Sequence, residues 1–398
     1  MVRWMISTIL ILQGLLVYCS PQEEQVKSGA DRPDLYLPVI AQQKIALVAN
    51  HTSVVGERHL VDTLLSSGIP KEQIVKVFAP EHGFRGDHAA GVKVEDGKDP
   101  LTGIEVVSLY GSNKKPGPDV LEGIEMVVFD LQDVGARFYT YISTLHYVME
   151  ACAENDIPLL LLDRPNPNGG YVDGPVLDPS FSTFVGMHPI PVVYGLSMGE
   201  LAGMINGEGW LNGGLQCKLT VIPCENYFHG LSVSLPVSPS PNLGNDHAIR
   251  MYPSTCFFEG TVLSEGRGTD MPFEVYGHPD LSGSFSFTPE EIPGVARKPK
   301  FEGQICYGAD LRTFVPEEGW NRIHLQWLLE AYKAFPRKQE FFTSYFDKLA
   351  GTDALRIQVE AGWDEQQIRA SWQDELRDYK AKRSNYLIYV ESKLYEKK

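Results

Sequence analysis

The chain has 398 residues, 43% of them hydrophobic, which is enough for two or three domains with ordinary buried cores. Its formal net charge of −16 argues against a nucleic-acid partner and against a basic membrane-binding face. An anionic small substrate stays open, because a local cluster of cations outweighs a distant negative surface.

Residues 1–20 read as a leader rather than as part of the fold. Arg3 precedes the apolar run from Met5 to Val17, which is short for a bilayer span and has the form of a secretory signal. Leu16-Val17-Tyr18-Cys19 resembles a bacterial lipoprotein processing site, which makes Cys19 the candidate for lipidation. Tyr18 is bulkier than the small residue usual there, so simple cleavage nearby is an equal alternative. The expectation is an exported protein, periplasmic or lipid-anchored, touching a membrane only through Cys19. Residues 21–35 are polar and read as a tether.

Five apolar, β-rich runs follow at Ile45–Ala49, Ile74–Phe78, Val106–Leu109, Met126–Phe129 and Leu159–Leu162. Helical patterns at Leu60–Ser67 and Tyr141–Glu154 separate several of them. Alternating strand and helix predicts a Rossmann-like, doubly wound, mostly parallel α/β sheet over residues 36–236. In such a sheet the strand ends share one rim, where ligands bind. The residues closing these runs are Asn50-His51-Thr52, Glu81-His82, Tyr110, then Asp130 through Asp133 and Arg137 to Tyr139, and finally Asp163-Arg164-Pro165-Asn166. Glu81, Asp133, Arg137 and Arg164 are therefore expected to converge. The densest cluster follows the second run, where Pro80 ends the strand for want of an N–H and Glu81, His82 and Arg85 are spaced by glycines. Residues 83–103 form a glycine-rich loop without a helix, and loops this long are commonly functional.

The strand Pro189–Tyr194, a helix at Met198–Asn206 and a strand at Leu219–Ile222 are expected to close the first domain. From about Val237 the texture changes, and residues 237–398 read as a smaller α+β domain with a cleft between the two. That half opens with the turn-rich Pro239-Ser240-Pro241-Asn242 and carries a second polar cluster from Glu259 to Thr269, including Glu265 and Arg267. Helical spacing recurs at His324–Phe335, Glu340–Leu349 and Asp364–Tyr379.

Other motifs point elsewhere. No G-x-G-x-x-G follows the first strand, so no nucleotide cofactor is expected. Glu81-His82 with His88 lacks metal-ligand spacing, and no metal is expected. Gly195-Leu196-Ser197-Met198-Gly199 matches a nucleophile elbow, with Asp246 and either His247 or His278 available downstream for a serine esterase. The competing reading makes Ser197 a helix cap and Glu200 the partner in a capping box. Cys152, Cys217, Cys224, Cys256 and Cys306 fit no zinc spacing and read mostly as buried thiols.

Taken together, Phe78 through Gly86, Phe129 through Ser143, Leu162 through Gly170, Ser238 through Asn242, Tyr252 through Cys256 and Phe258 through Thr269 resemble signatures of the NamZ family. These are exo-acting β-N-acetylmuramidases (glycoside hydrolase family 171, first catalogued as a domain of unknown function). The resemblance runs from about residue 40 to near the C-terminus. It implies removal of terminal N-acetylmuramic acid (MurNAc) from the non-reducing end of peptidoglycan fragments such as MurNAc-GlcNAc, without a cofactor. Glu81 is then the candidate acid, His82 a positioning neighbour, and Asp133 or Glu265 the second carboxylate, with attack by the substrate's own acetamido oxygen as a further route. Asp130 reads as structural. The lactyl carboxylate of MurNAc calls for an arginine, from Arg85, Arg137, Arg164 or Arg267. Asn50, Tyr139, Asn166 and Asn242 complete the candidate sugar contacts. A non-catalytic muropeptide-binding protein is the remaining alternative.

Overall fold

A computed structural model describes residues 25–85, 96–111 and 113–392. The leader over residues 1–20, Cys19 and His88 lie outside the described residues.

The central sheet is built from β1 (Ile45–Ala49), β2 (Ile74–Ala79), β3 (Gly97–Lys98), β4 (Glu105–Ser108), β5 (Met126–Asp130) and β6 (Leu159–Leu162). A ribbon of β7 (Asp173–Val176) and β8 (Pro191–Val193) follows, and β9 (Leu219–Ile222) returns to the sheet. The spatial order is β9-β6-β5-β1-β2-β4-β3, parallel throughout except for the β3–β4 edge pair. The run expected at Pro189–Tyr194 forms β8, which pairs antiparallel with β7 outside the main sheet.

Both faces of the sheet are covered, and the period-2 alternation of the strands says by what. Ile45, Leu47 and Ala49 of β1 face one apolar layer with α1 (Pro33–Ile40) and α2 (Leu60–Ser66). Ala46 and Val48 face the other, with α3 (Tyr141–Glu154) and α4 (Met198–Gly207). This second layer continues without a break into the C-terminal half, through Tyr252, Phe257, Leu328, Phe346 and Tyr379. The two halves share one core; small satellites lie around Val275, Phe287 and Cys306 and around Cys224, Tyr227 and Tyr389.

In that half α5 (Asp246–Thr255) is capped by the Asn245 side chain, which accepts from the Ala248 N–H at 2.8 Å. It runs into a 3-10 turn, Cys256–Gly260. Strands β10 (Val275–His278), β11 (Phe285–Phe287) and β12 (Cys306–Asp310) form an antiparallel sheet in the order β10-β12-β11. Helices α6 (Gln326–Ala334), α7 (Phe346–Ala350), α8 (Ala354–Glu360), α9 (Glu365–Ser371) and α10 (Gln373–Arg383) complete the chain. The single helix expected over Asp364–Tyr379 is two helices, because the pattern breaks at Trp372, whose ψ of 5° leaves the helical range.

Residues 21–35 are not a tether over their described part. Lys27 exchanges backbone hydrogen bonds with Glu225, Gly29 donates to the Asp163 carbonyl, and Pro33 opens α1. Gly29 is required there: a Cβ would stand 2.3 Å from the Ile222 carbonyl oxygen.

Candidate active site

Pro80 ends β2, and the chain turns through His82 (φ 73°) and Gly83 (φ 78°), which leaves Glu81 facing a cavity of about 430 Å³. The Glu81 Oε2 atom accepts from the Thr140 hydroxyl at 2.8 Å. Tyr110, at the end of β4, stands beside it: burial, and then the Glu81 charge, hold its phenol proton in place. His82, Tyr139 and Tyr141 continue this wall. The Tyr139 and Tyr141 rings meet edge-to-face at 4.9 Å; the Tyr139 hydroxyl donates to the Pro239 carbonyl at 2.6 Å. Such aromatic faces suit the apolar faces of a sugar ring.

The C-terminal half supplies the opposite wall. Arg267 reaches Glu259 at 2.6 Å and Glu265 at 3.3 Å, and its guanidinium lies 5.0 Å from the centre of the Phe273 ring. Burial opposes its charge, but the Glu259 and Glu265 carboxylates outweigh burial and hold its pKa above the ordinary value. Burial pushes the Glu259 carboxyl up, against the pull of Arg267. Lys300 donates to the carbonyls of Phe258, Glu259, Thr261 and Leu263 and to Glu265 at 3.2 Å. Its ammonium therefore organises the 3-10 turn that carries Glu259, as a bound cation would. Tyr345 also lines the cavity; burial and then the Glu259 charge keep its phenol protonated.

Of the residues singled out in the sequence, Glu81, His82, Tyr139, Glu265 and Arg267 meet in this cavity. The others are placed elsewhere. Arg85 makes a two-pronged pair with Asp99 (3.1 and 2.9 Å) and reaches Asp62 at 3.3 Å. Arg164 does the same with Asp130 (2.6 and 2.9 Å) and also donates to the Val54 carbonyl, so Asp130 is structural as expected. Arg137 is wholly buried among four carbonyls. Asn166 bonds the Leu196 carbonyl and the Asn168 N–H, holding a turn. Asn50 acts at one remove, donating to the Tyr141 hydroxyl at 2.6 Å. Asn242 donates to the Val295 carbonyl at 3.1 Å and ties two stretches of wall together.

Asp133 is likewise not on the cavity wall. It lies behind, accepting from the Gly135 N–H at 2.6 Å and from the Tyr194 hydroxyl. Burial pushes its carboxyl up to about 7. An unfolded aspartate titrates near ~3.9. The folded chain thus keeps a proton that the unfolded chain releases, and this contribution to stability falls as pH rises from about 4 to about 7. Asp133→Asn removes that slope. Calorimetric melting from pH 4 to 8 should show the variant gaining on the wild type by on the order of 3 kcal/mol across the window.

The glycine-flanked Ser197 is a helix cap. Its oxygen accepts from the Glu200 N–H at 3.2 Å, Glu200 returns a bond to the Ser197 N–H at 2.8 Å, and its own proton goes to Asp163 at 2.6 Å. Gly195 supplies a φ of 63°, and a Cβ at Gly199 would stand 2.8 Å from the Asp163 carboxylate. Both glycines are thereby explained without an elbow. His247 is paired with Glu274 at 2.7 Å, and Ser197 is 1% exposed. Ser197→Ala should cost about 1–2 kcal/mol in denaturant unfolding and leave glycosidase turnover per folded molecule unchanged.

Glu259 and Tyr345 were not singled out, and Tyr110 was named only as the end of a strand. Glu259 lay inside a quoted cluster whose neighbour Glu265 drew the attention. Nothing local marks Tyr345, which becomes part of the site only through the packing of α7. Among the described residues no three His, Cys, Asp or Glu side chains group as a metal site. The five described cysteines are all free and buried.

Two family models, for the N-terminal and C-terminal parts of the exo-β-N-acetylmuramidase NamZ, match residues 45–247 and 250–389. The peptidoglycan β-N-acetylmuramidase NamZ of Bacillus subtilis is 36% identical over 390 residues, covering 92% of each chain. Crystal structures of two DUF1343 family proteins from Bacteroides fragilis are also similar. One is 43% identical with a TM-score of 0.85, covering 92% of this chain and 100% of that one. The other is 26% identical with a TM-score of 0.78, covering 92% and 99%.

Proposed function

Because the chain belongs to the NamZ family of exo-β-N-acetylmuramidases, we propose that its cavity splits a terminal β-linked MurNAc from fragments such as MurNAc-GlcNAc, with Glu81 as the acid. The protein is a glycoside hydrolase acting on peptidoglycan. The observation that carries the residue assignment is Glu81 on one wall, hydrogen-bonded by Thr140, facing carboxylates supplied by the other half of the chain.

Glycoside hydrolysis needs a carboxylic acid to protonate the departing oxygen and a second group on the other side of the sugar. Glu81 meets the first need, being anchored by the Thr140 hydroxyl with the Tyr110 phenol beside it on the cavity wall. For the second, Glu259 is the better placed of the two opposite carboxylates. Glu265 is tied to both Arg267 and Lys300, whereas Glu259 makes its ion pair with Arg267 and burial pushes its carboxyl up against that pull. Tyr345 adds a neutral hydroxyl to the same cavity.

The test is incubation of purified protein with MurNAc-GlcNAc and a chromogenic β-MurNAc glycoside. Free MurNAc is the expected product. Saturable binding with no product after long incubation would make this a muropeptide-binding protein instead. Export with lipid attachment at Cys19 also belongs to this reading, supported by the apolar run before it; mass spectrometry of the membrane fraction for a diacylglyceryl adduct on Cys19 checks it.

A further inference from the structure

MurNAc differs from GlcNAc by one lactyl group, and so by one negative charge. The cavity is poorly prepared for that charge by the residues described above. Glu81, Glu259 and Glu265 face it, and the two cations between them, Arg267 and Lys300, are already committed to those carboxylates and to backbone carbonyls. Arg85, Arg137 and Arg164 are spent elsewhere. An anionic sugar entering such a pocket finds both of these cations already paired.

Two further cations stand on the same wall. Arg297 and Lys298 line the cavity with exposed side chains, and among the described residues neither has an ion-pair or hydrogen-bond partner. They are held in place nonetheless. Ile292 and Ala296 exchange backbone bonds on one side, and Asn242 holds the Val295 carbonyl. On the other side Lys300 is locked into its cage of carbonyls, and Pro299 packs so close to Gly268 that a Cβ there would stand 2.6 Å from it. Lys298 itself sits at φ 49°, a left-handed conformation that lysine seldom adopts. A short stretch pinned at both ends, with two cations lining a cavity, has the features of a preorganised anion site.

We propose that Arg297 and Lys298 bind the lactyl carboxylate and set the preference for MurNAc over GlcNAc. This rests on the muramidase reading. Arg297 supplies a fork that matches a carboxylate, and Lys298 a second, less directional charge.

The experiment compares wild type, Lys298→Arg and the double variant Arg297→Ala/Lys298→Ala on three chromogenic β-glycosides: MurNAc, MurNAc with its carboxylate methyl-esterified, and GlcNAc. Calorimetric binding of free MurNAc and melting temperatures run alongside. The double variant should lose about 10- to 100-fold in kcat/KM on MurNAc, mostly through KM. Its activity on the ester should change less than about twofold, since uniform binding to that neutral group was never present. MurNAc affinity should fall in parallel, Lys298→Arg should keep most of it, and the melting temperature should hold. An unchanged ratio of acid to ester in the double variant overturns the inference while the muramidase reading stands. Wild type that cleaves none of the three overturns both.

Discussion

Glu81→Gln is expected to lower kcat on β-MurNAc glycosides by about 10³-fold while leaving MurNAc binding and the melting temperature close to wild type. The substitution is nearly isosteric. The amide oxygen still accepts from the Thr140 hydroxyl, so the turn after β2 keeps its bond. What is lost is the proton delivered to the departing oxygen. That loss depends on the leaving group, which separates a chemical role from a structural one. A natural sugar alcohol leaves poorly without protonation and should show the full defect. A dinitrophenyl leaving group departs as a stable anion and should recover most of the rate. The limb of the pH–rate profile belonging to the acid should vanish as well. Equal losses on both leaving groups, or no loss on either, would remove Glu81 from the role of acid.

The largest expected effect on stability is at Arg137. This guanidinium is wholly buried and has no carboxylate partner among the described residues; burial alone lowers its pKa to about 9. It donates to the carbonyls of Pro175 and Ile190, in and beside the β7–β8 ribbon, and of Leu349 and Ala350 at the end of α7. One side chain thus ties the two halves of the molecule together. The fit is close: a Cβ on Gly351 would stand 2.6 Å from the guanidinium, and Gly351 also takes a φ of 73°. Arg137→Met, which keeps much of the volume, leaves four buried carbonyls short of a donor and should cost about 3–5 kcal/mol in urea unfolding. A sugar-binding arginine would behave otherwise, with normal unfolding and a raised KM. That outcome would return Arg137 to the substrate role expected from its place on the rim.

These two residues show how far local pattern reaches. Glu81 was legible because its position depends on a short apolar strand, a proline that ends it and the parallel sheet that follows from alternating elements. All three are properties of neighbouring residues. The same logic recovered β1, β6, β9 and α3 to the residue. It also separated two readings of Ser197 that predict identical local geometry, but could not choose between them: the choice rests on Asp163, a residue 34 positions away that takes the serine's proton.

Arg85, Arg137 and Arg164 were legible as arginines near a functional rim and no further. A guanidinium makes any of several interactions, and the one it makes is decided by whichever acceptors lie within about 3 Å. Those acceptors were Asp99, 14 residues along the chain, the Asp130 carboxylate on the neighbouring strand, and carbonyls more than two hundred residues away. Asp133 failed for a related reason, since the strand end places it on the rim but only packing decides whether it faces the cavity or the core. By itself the sequence determined the strands, the rim and the place of Glu81 on it, because backbone propensity and turn chemistry act over a few residues. Tertiary structure alone decided which charged groups were already paired, and so which of the described cations lining the cavity, Arg297 and Lys298, carry no ion pair.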